Sequence, residues 1–471
     1  MVFSSTVFLF IFLPIVLITH FLLARKYRNL FLLLASLFFY AWGEHVLVLI
    51  MMASICINYV AGNLISEFVK RDWKRQSKWM LFIGVTLNLL MLGYYKYIHF
   101  LMDILSQIGI KLNVDVSNVT LPIGISFFTF QGISYLIDVH RKTVEGEKSL
   151  INLGMYISLF PQLVAGPIVR YEDIIKEINN RKILTPLFKE GVIRFIGGFA
   201  KKILIANNVG LIADEIFAIA PNDLSTSLAW IGIVCYTLQI YYDFSGYSDM
   251  AIGLGKMLGF NFRENFEYPY IAKSIKEFWR RWHISLSTWF RDYLYIPLGG
   301  NKGGKYRTYF NLLVVFFLTG LWHGASWNFV VWGLFHGFFI IMERLNFIKL
   351  PPRFNILGNI YTLLVVMIGW VFFRAENLEY ALDFIERMFV FKSGTNNYPY
   401  IFLNNYVFTV LFIGIIFSLP LRRFISRKVV SVVRNSGVRN VLKQSFFVAI
   451  FILALMELAQ TTYNPFIYFR F

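Results

Sequence analysis

Charge is scarce in this chain, and acid scarcest of all. Only 15% of its 471 residues are Asp, Glu, Lys or Arg, and of these 27 are acidic against 45 basic. A charged fraction that low cannot cover the surface of a soluble domain of this size, whereas 57% hydrophobic and 18% aromatic content suits a polytopic membrane protein. There are two cysteines, Cys56 and Cys235, both in apolar runs. That excludes a disulfide framework and a Cys-rich metal site, and both read as packing residues. No G-x-S-x-G elbow, H-E-x-x-H or Cys/His cluster is present, so neither a serine nucleophile nor a bound metal is expected. No internal repeat or long linker divides the chain.

What is there begins with an apolar run from Val2 to about Ala24. It lacks a basic leader and a small-residue cleavage site, and its positive charges Arg25, Lys26 and Arg28 follow it, so it reads as a retained membrane helix. The net charge of +18 lies in loops between apolar spans, which is the positive-inside pattern and not a nucleic-acid surface. Basic clusters at 25–28, 70–78, 141–148, 170–202, 256–307, 344–353 and 422–443 are placed in the cytoplasm. The less basic stretches 42–45, 111–120, 221–227 and 374–405 then face outward. Apolar spans of about 20 residues account for about 11–12 transmembrane helices. The run from Ile151 to Ile168 has basic clusters on both sides and contains Pro161, Gly166 and Pro167. A full crossing would break the parity, so it reads as a re-entrant hairpin, tolerated only where protein satisfies its backbone.

The expectation is one all-α membrane domain over 1–471, with both termini outside. Within it lie N-terminal helices in 1–255 with the re-entrant piece near 151–168, an interfacial segment at 256–307, C-terminal helices in 308–462 and an aromatic tail at 463–471. The segment 256–307 holds ten Lys or Arg against four Asp or Glu, interleaved with Trp279, Trp282 and Trp289. Two readings are open for it. One is an amphipathic belt held by anionic membrane lipids. The other is a site for a phosphate-bearing donor such as coenzyme A, with Arg280, Arg281 and Arg291 forking onto phosphate oxygens and an aromatic face such as Trp282 against a base.

Imidazole exchanges protons near neutral pH and is costly at membrane depth, so His283 in FWRRWH and His323 in LTGLWHGASWN need a reason. The bland reading of His323 is a neutral histidine hydrogen-bonded across the bundle. Gly320 and Gly324 on either side of it would instead let a substrate or a backbone come close. His336 has a weaker case, and His20, His45, His99 and His140 fall near span boundaries. Gln239, Tyr242, Asp243, Ser245 and Asp249 are polar positions in an apolar span, suited to a tunnel lining with Trp322 or to interhelical hydrogen bonds.

LPIGISFFTFQGISYLIDVHR from Leu121, LFPQLVAGPIVRY from Leu159, QIYYDFSGYSDMAIGLGKMLGF from Gln239, FWRRWH and LWHGASWN together resemble the membrane-bound O-acyltransferase superfamily, in its bacterial alginate O-acetyltransferase form. The resemblance covers essentially the whole chain and implies that family's fold, helices around a central tunnel. It implies that His323 is the principal catalytic residue, with His283 lining the same tunnel, and that acetyl-CoA is the donor with no permanently bound cofactor. Phe466, Tyr468 and Phe471 fit F-x-Y-x-x-F, which resembles the motif of a small acyl-carrying peptide of the teichoic acid D-alanyl system. There the tyrosine hydroxyl carries the acyl group. Tyr468 is therefore expected to take the acetyl group and pass it to an extracytoplasmic acetyltransferase- or esterase-like partner acting on a polysaccharide or peptidoglycan. The enzyme would sit in the bacterial cytoplasmic membrane. Two alternatives are an acyl donor carried on a phosphopantetheine protein, and a transporter or flippase for an envelope precursor.

Overall fold

Apolar runs with few breakers close their backbone hydrogen bonds internally, and among the described residues every regular element is a helix. The computed structural model describes residues 1–110, 112, 114–348, 355–391, 399–421, 435–461 and 463–466. Among the described residues, five helical runs are long and apolar enough to cross a membrane: Arg25–Lys70, Lys74–Gln107, Thr185–Phe217, Asn355–Arg374 and Ser436–Gln460. Two shorter apolar helices, Phe8–Leu22 and Asn405–Phe417, accompany them. The protein is an all-α, multi-pass membrane protein.

The chain forms two compact units, residues 1–192 with 251–263, and residues 193–250 with 264–471. In the first lie α1 (Arg28–Glu44), α2 (Val48–Lys70), α3 (Lys74–Leu92) and α4 (Ile125–His140), and a buried amide pair joins α2 to α3. Asn58 of α2 and Asn88 of α3 exchange amide hydrogen bonds of 3.1 Å, each fully buried. Such pairs hold helices together where lipid supplies no hydrophobic drive between them. The stretch expected to be re-entrant forms α5 (Leu150–Ser158), capped by the Ser149 hydroxyl, and breaks at Leu159 before the single turn Phe160–Leu163. Nine residues are too few to cross, and residues 153–171 are buried throughout, with the Ser36 hydroxyl accepting from the Phe160 amide at 3.1 Å.

The second unit carries most of α6 (Thr226–Leu258), the short helices α7 (Ile275–Arg281) and α8 (Ile284–Phe290), the pair α9 (Gly304–His323) and α10 (Trp327–Arg344), then α11 (Asn355–Arg374) and α12 (Ser436–Gln460). The α9–α10 crossing is built on glycine. A Cβ at Gly320 would strike the Phe329 carbonyl, and one at Gly333 would strike the Phe316 carbonyl and meet Gly320 Cα at 3.0 Å. The room that Gly320 and Gly324 make is thus filled by α10, with the Phe329 ring lying against Gly324.

One charge assignment changes. Lys201 and Lys202, expected to close a cytoplasmic cluster, sit in a π-helical turn, Lys201–Ala206, inside the continuous run Thr185–Phe217. Each has an acid partner on α6: Lys201 with Asp249 and Lys202 with Asp243, both at 2.7 Å.

Candidate active site

His283 occupies a corner between two short helices. α7 ends at Trp282 in extended backbone, and His283 itself takes φ 44° and ψ 54° before α8 begins. A left-handed backbone at a residue other than glycine is held only where its surroundings impose it. Here the loop 265–267 does so: the Asn265 carbonyl accepts from the Ile284 amide at 3.0 Å, and the Glu267 amide donates to the Arg281 carbonyl at 2.9 Å.

The Asn265 side chain fixes the imidazole as well. Its Oδ1 accepts from the Ser285 amide at 3.2 Å and from the Ser285 hydroxyl at 2.9 Å, while its Nδ2 donates to Ser248 Oγ at 3.1 Å. A backbone N–H only donates, so this amide orientation is determined. His283 Nδ1 lies 3.2 Å from the same oxygen and must therefore carry the hydrogen. The ring is wholly buried, and that burial pushes its pKa down to about 3, leaving it neutral with its lone pair on Nε2.

His323, the last residue of α9, is 2% exposed in an aromatic chamber. Trp332 lies 4.8 Å away and edge-on, Trp322 at 4.9 Å and Phe373 at 5.3 Å. The centroids of His323 and His283 are 6.4 Å apart. This is too far for a direct hydrogen bond between the rings and suits one oxygen between them. Phe244 of α6 meets the His283 ring edge-on at 4.7 Å, and Trp322 is 5.8 Å from it.

A cleft of about 1090 Å³ opens beside this chamber. Arg280 and Arg291 line it with Lys273, Lys276 and Arg344, and Trp279, Phe290 and Tyr295 supply aromatic faces. Thr319, one turn before His323 on α9, also lines it, and Trp279 leads inward through Trp332 at 5.7 Å to His323. The volume is at the upper end for cofactor pockets, and although Arg291 is itself forked onto Asp292 at 2.6 and 3.0 Å, the five cations lining the cleft against Glu343 favour an anionic occupant. Arg281 and Trp282 are not on its walls. Arg281 is taken by Glu277 at 2.9 Å and the Glu267 carbonyl at 3.1 Å, and Trp282 packs 5.0 Å from both Phe266 and Trp370.

The polar residues of α6 divide. Tyr242 donates to the Gly414 carbonyl at 2.6 Å, and Asp249 pairs with Arg194 at 2.6 Å and with Lys201, so both tie helices together. Gln239 and Ser245 are buried, and Asp243 forms an ion pair with Lys202 in which neither side chain is more than 3% exposed. Tyr468 lies outside the described residues, but its neighbour Phe466 is 3% exposed and stacks on Tyr247 at 4.6 Å. His336 is buried between Phe278, Trp279 and Trp332. Asn265, Ser285 and Lys202 were not anticipated. Asn265 sits in a polar loop with no motif around it, and Lys202 was hidden in a basic count.

The membrane-bound O-acyltransferase family model matches residues 139–376. The "Probable alginate O-acetylase AlgI" of Pseudomonas putida is 42% identical over 491 aligned residues, covering 100% of both chains. A peptidoglycan O-acetyltransferase of Helicobacter pylori is 36% identical over 82% of this chain and 80% of its own. A teichoic acid D-alanyltransferase of Bacillus subtilis is 31% identical over 48% of this chain and 59% of its own.

Proposed function

The chain belongs to the membrane-bound O-acyltransferase family and is an acyltransferase, and on that premise we propose that it moves an acetyl group from cytosolic acetyl-CoA to the phenol of Tyr468. An extracytoplasmic partner then unloads the group onto a cell-surface polysaccharide or peptidoglycan. The observation that carries this reading is the closed chamber holding His283 and His323, with the cationic cleft on one side and the tail residue Phe466 close by. Phe466 stacks on Tyr247, which lies three residues along α6 from Phe244, the residue in contact with His283. Residues so spaced on a helix are about 5–6 Å apart, and two further residues of extended chain reach at most about 7 Å.

The steps follow from the residues. Arg280 and Arg291 hold the phosphates of the donor, and the thioester extends past Trp279 toward His323. The phenol enters between the two imidazoles. His323 takes its proton as the oxygen attacks the thioester carbonyl, assistance worth roughly 100- to 10,000-fold. The carbon–sulfur bond breaks, and the proton passes from the imidazole to the departing thiolate, so that acetyl-CoA and tyrosine become acetyl-tyrosine and free CoA. His283, with its hydrogen on the side of Asn265, presents Nε2 as an acceptor. That supports a place for it in the proton relay over a role donating to the thioester oxygen. An acetyl phenyl ester is a reactive ester, suited to onward transfer.

Incubation with acetyl-labelled CoA followed by digestion and mass analysis tests the reading. Label is expected on the peptide containing Tyr468, absent in Tyr468→Phe and in His323→Ala. Undiminished label in Tyr468→Phe would remove the carrier step, and a D-alanyl donor on a carrier protein working in place of acetyl-CoA would change the donor.

A further inference from the structure

Four side chains of the second unit hold the backbone and ring of the segment 463–466. The Tyr463 hydroxyl donates to Asp214 Oδ2 at 2.6 Å, and the other oxygen of that carboxylate takes Arg374 at 2.6 Å. Asn207 Nδ2 donates to the Tyr463 carbonyl at 3.3 Å, and the buried ammonium of Lys202 donates to the Pro465 carbonyl. Phe466 closes the row on Tyr247. The sequence Tyr463–Asn464–Pro465–Phe466 suits this. Proline fixes its own φ and pushes the residue before it into extended backbone, so carbonyls project sideways to be read by donors.

A lysine and an aspartate buried together are costly, and removing them from water is not by itself a source of stability. The Lys202–Asp243 pair has a further use in that one ammonium proton is spent on a tail carbonyl. We propose that Asp214, Asn207, Lys202 and Tyr247 form a docking cradle for residues 463–466 of the same chain, whose task is to deliver Tyr468 to the histidine chamber. The inference rests on Tyr468 being the acyl acceptor. These four are positioning residues: they touch the tether, and the tether sets the effective concentration of the phenol. Tethering of this kind turns a second-order encounter into an internal one.

Two measurements on the full-length protein separate the cradle from the acceptor reading. The first introduces Tyr247→Cys and Phe466→Cys into a chain with Cys56→Ala and Cys235→Ala and applies a short bifunctional thiol reagent. A closed 247–466 link is expected in folded protein whether or not any acetyl group is transferred. The second follows labelling of Tyr468 from acetyl-CoA in Tyr463→Phe, which keeps the ring and removes only the hydroxyl, and in Lys202→Met. Their maximal rates should fall roughly tenfold or more, while the acetyl-CoA concentration at half-maximal rate stays unchanged. Linking without label on Tyr468 in the unmodified chain would overturn the acceptor reading and leave the cradle standing. Failure of the link in folded protein, or wild-type labelling rates in both variants, would overturn the cradle even with Tyr468 labelled.

Discussion

Asn265 offers the sharpest test of the chamber, because one oxygen sets the tautomer of His283. Replacing it by aspartate keeps that acceptor in place for the Ser285 amide, the Ser285 hydroxyl and His283 Nδ1, at 3.2, 2.9 and 3.2 Å. Ser248 need only turn its hydroxyl to donate to the second oxygen. What changes is charge. A carboxylate within hydrogen-bond reach of an imidazole favours the imidazolium, commonly by about 1–3 pKa units, or roughly 1.4–4 kcal/mol. Starting from about 3, His283 should then titrate between about 4 and 6. The sign is fixed: a raised pKa means Nε2 gains a proton at higher pH and loses its acceptor role as pH falls through the new value.

The assay is the rate of acetyl transfer from acetyl-CoA between pH 4 and 9 for the wild type, Asn265→Asp and Asn265→Ala. In the wild type His283 contributes no acid limb above about pH 4. The aspartate variant should show one whose midpoint lies about 1–3 units higher than any His283 titration in the parent. The alanine variant should lose activity at every pH, since an imidazole free to adopt the wrong tautomer can lose as much as about 10⁴-fold. It should also lose stability, because buried donors left unpaired cost about 1–3 kcal/mol each. An aspartate variant that is active with an unshifted profile, together with an alanine variant within threefold of wild type, would falsify the relay role given to His283.

The cleft and the helix crossing make further predictions. Arg280→Ala and Arg291→Ala should each raise the acetyl-CoA concentration at half-maximal rate about 10- to 100-fold, the equivalent of a charge-assisted hydrogen bond. Arg281→Ala, whose guanidinium is engaged by Glu277 and the Glu267 carbonyl off the cleft walls, should raise it much less. Equal effects in a binding titration would show that the cleft is not the donor site. Gly320→Ala pushes a methyl group onto the Phe329 carbonyl, a rigid backbone atom. Overpacking there should cost about 1–3 kcal/mol and lower the thermal midpoint of the detergent-solubilised protein; an unchanged midpoint would mean that α9 and α10 part without penalty.

The fold class was legible because composition leaves a chain this apolar one way to satisfy its backbone. His283 and His323 stand out in one dimension because a titratable ring among apolar neighbours is conspicuous, and the structure brings the two rings to 6.4 Å. Arg280 and Arg281 show where that stops. They are adjacent in sequence and chemically alike, but successive helical positions point about 100° apart, so one lines the cleft and the other turns to Glu277. Asn265 was illegible for a different reason. An amide in a polar loop acquires meaning only from the three donors that converge on it, and two of these are a backbone N–H and an imidazole 18 and more positions away.

Lys202 is the most instructive failure. Counting it with Arg170 and its neighbours treats charge as a property of a segment, and that works while each cation faces water. It fails when a cation inside a helical run has an acid on the facing helix. Lys201 with Asp249 and Lys202 with Asp243 take two cations out of the count of loop Lys and Arg that sets orientation. The spacings are informative in retrospect. Two consecutive lysines and two aspartates six residues apart on α6 bring opposite charges together at two levels along the helices. Once such charges within helices are paired, Lys202 has no part in the loop count, and a buried cation outside that count calls for a local role. The carbonyl of Pro465 is where that role is found.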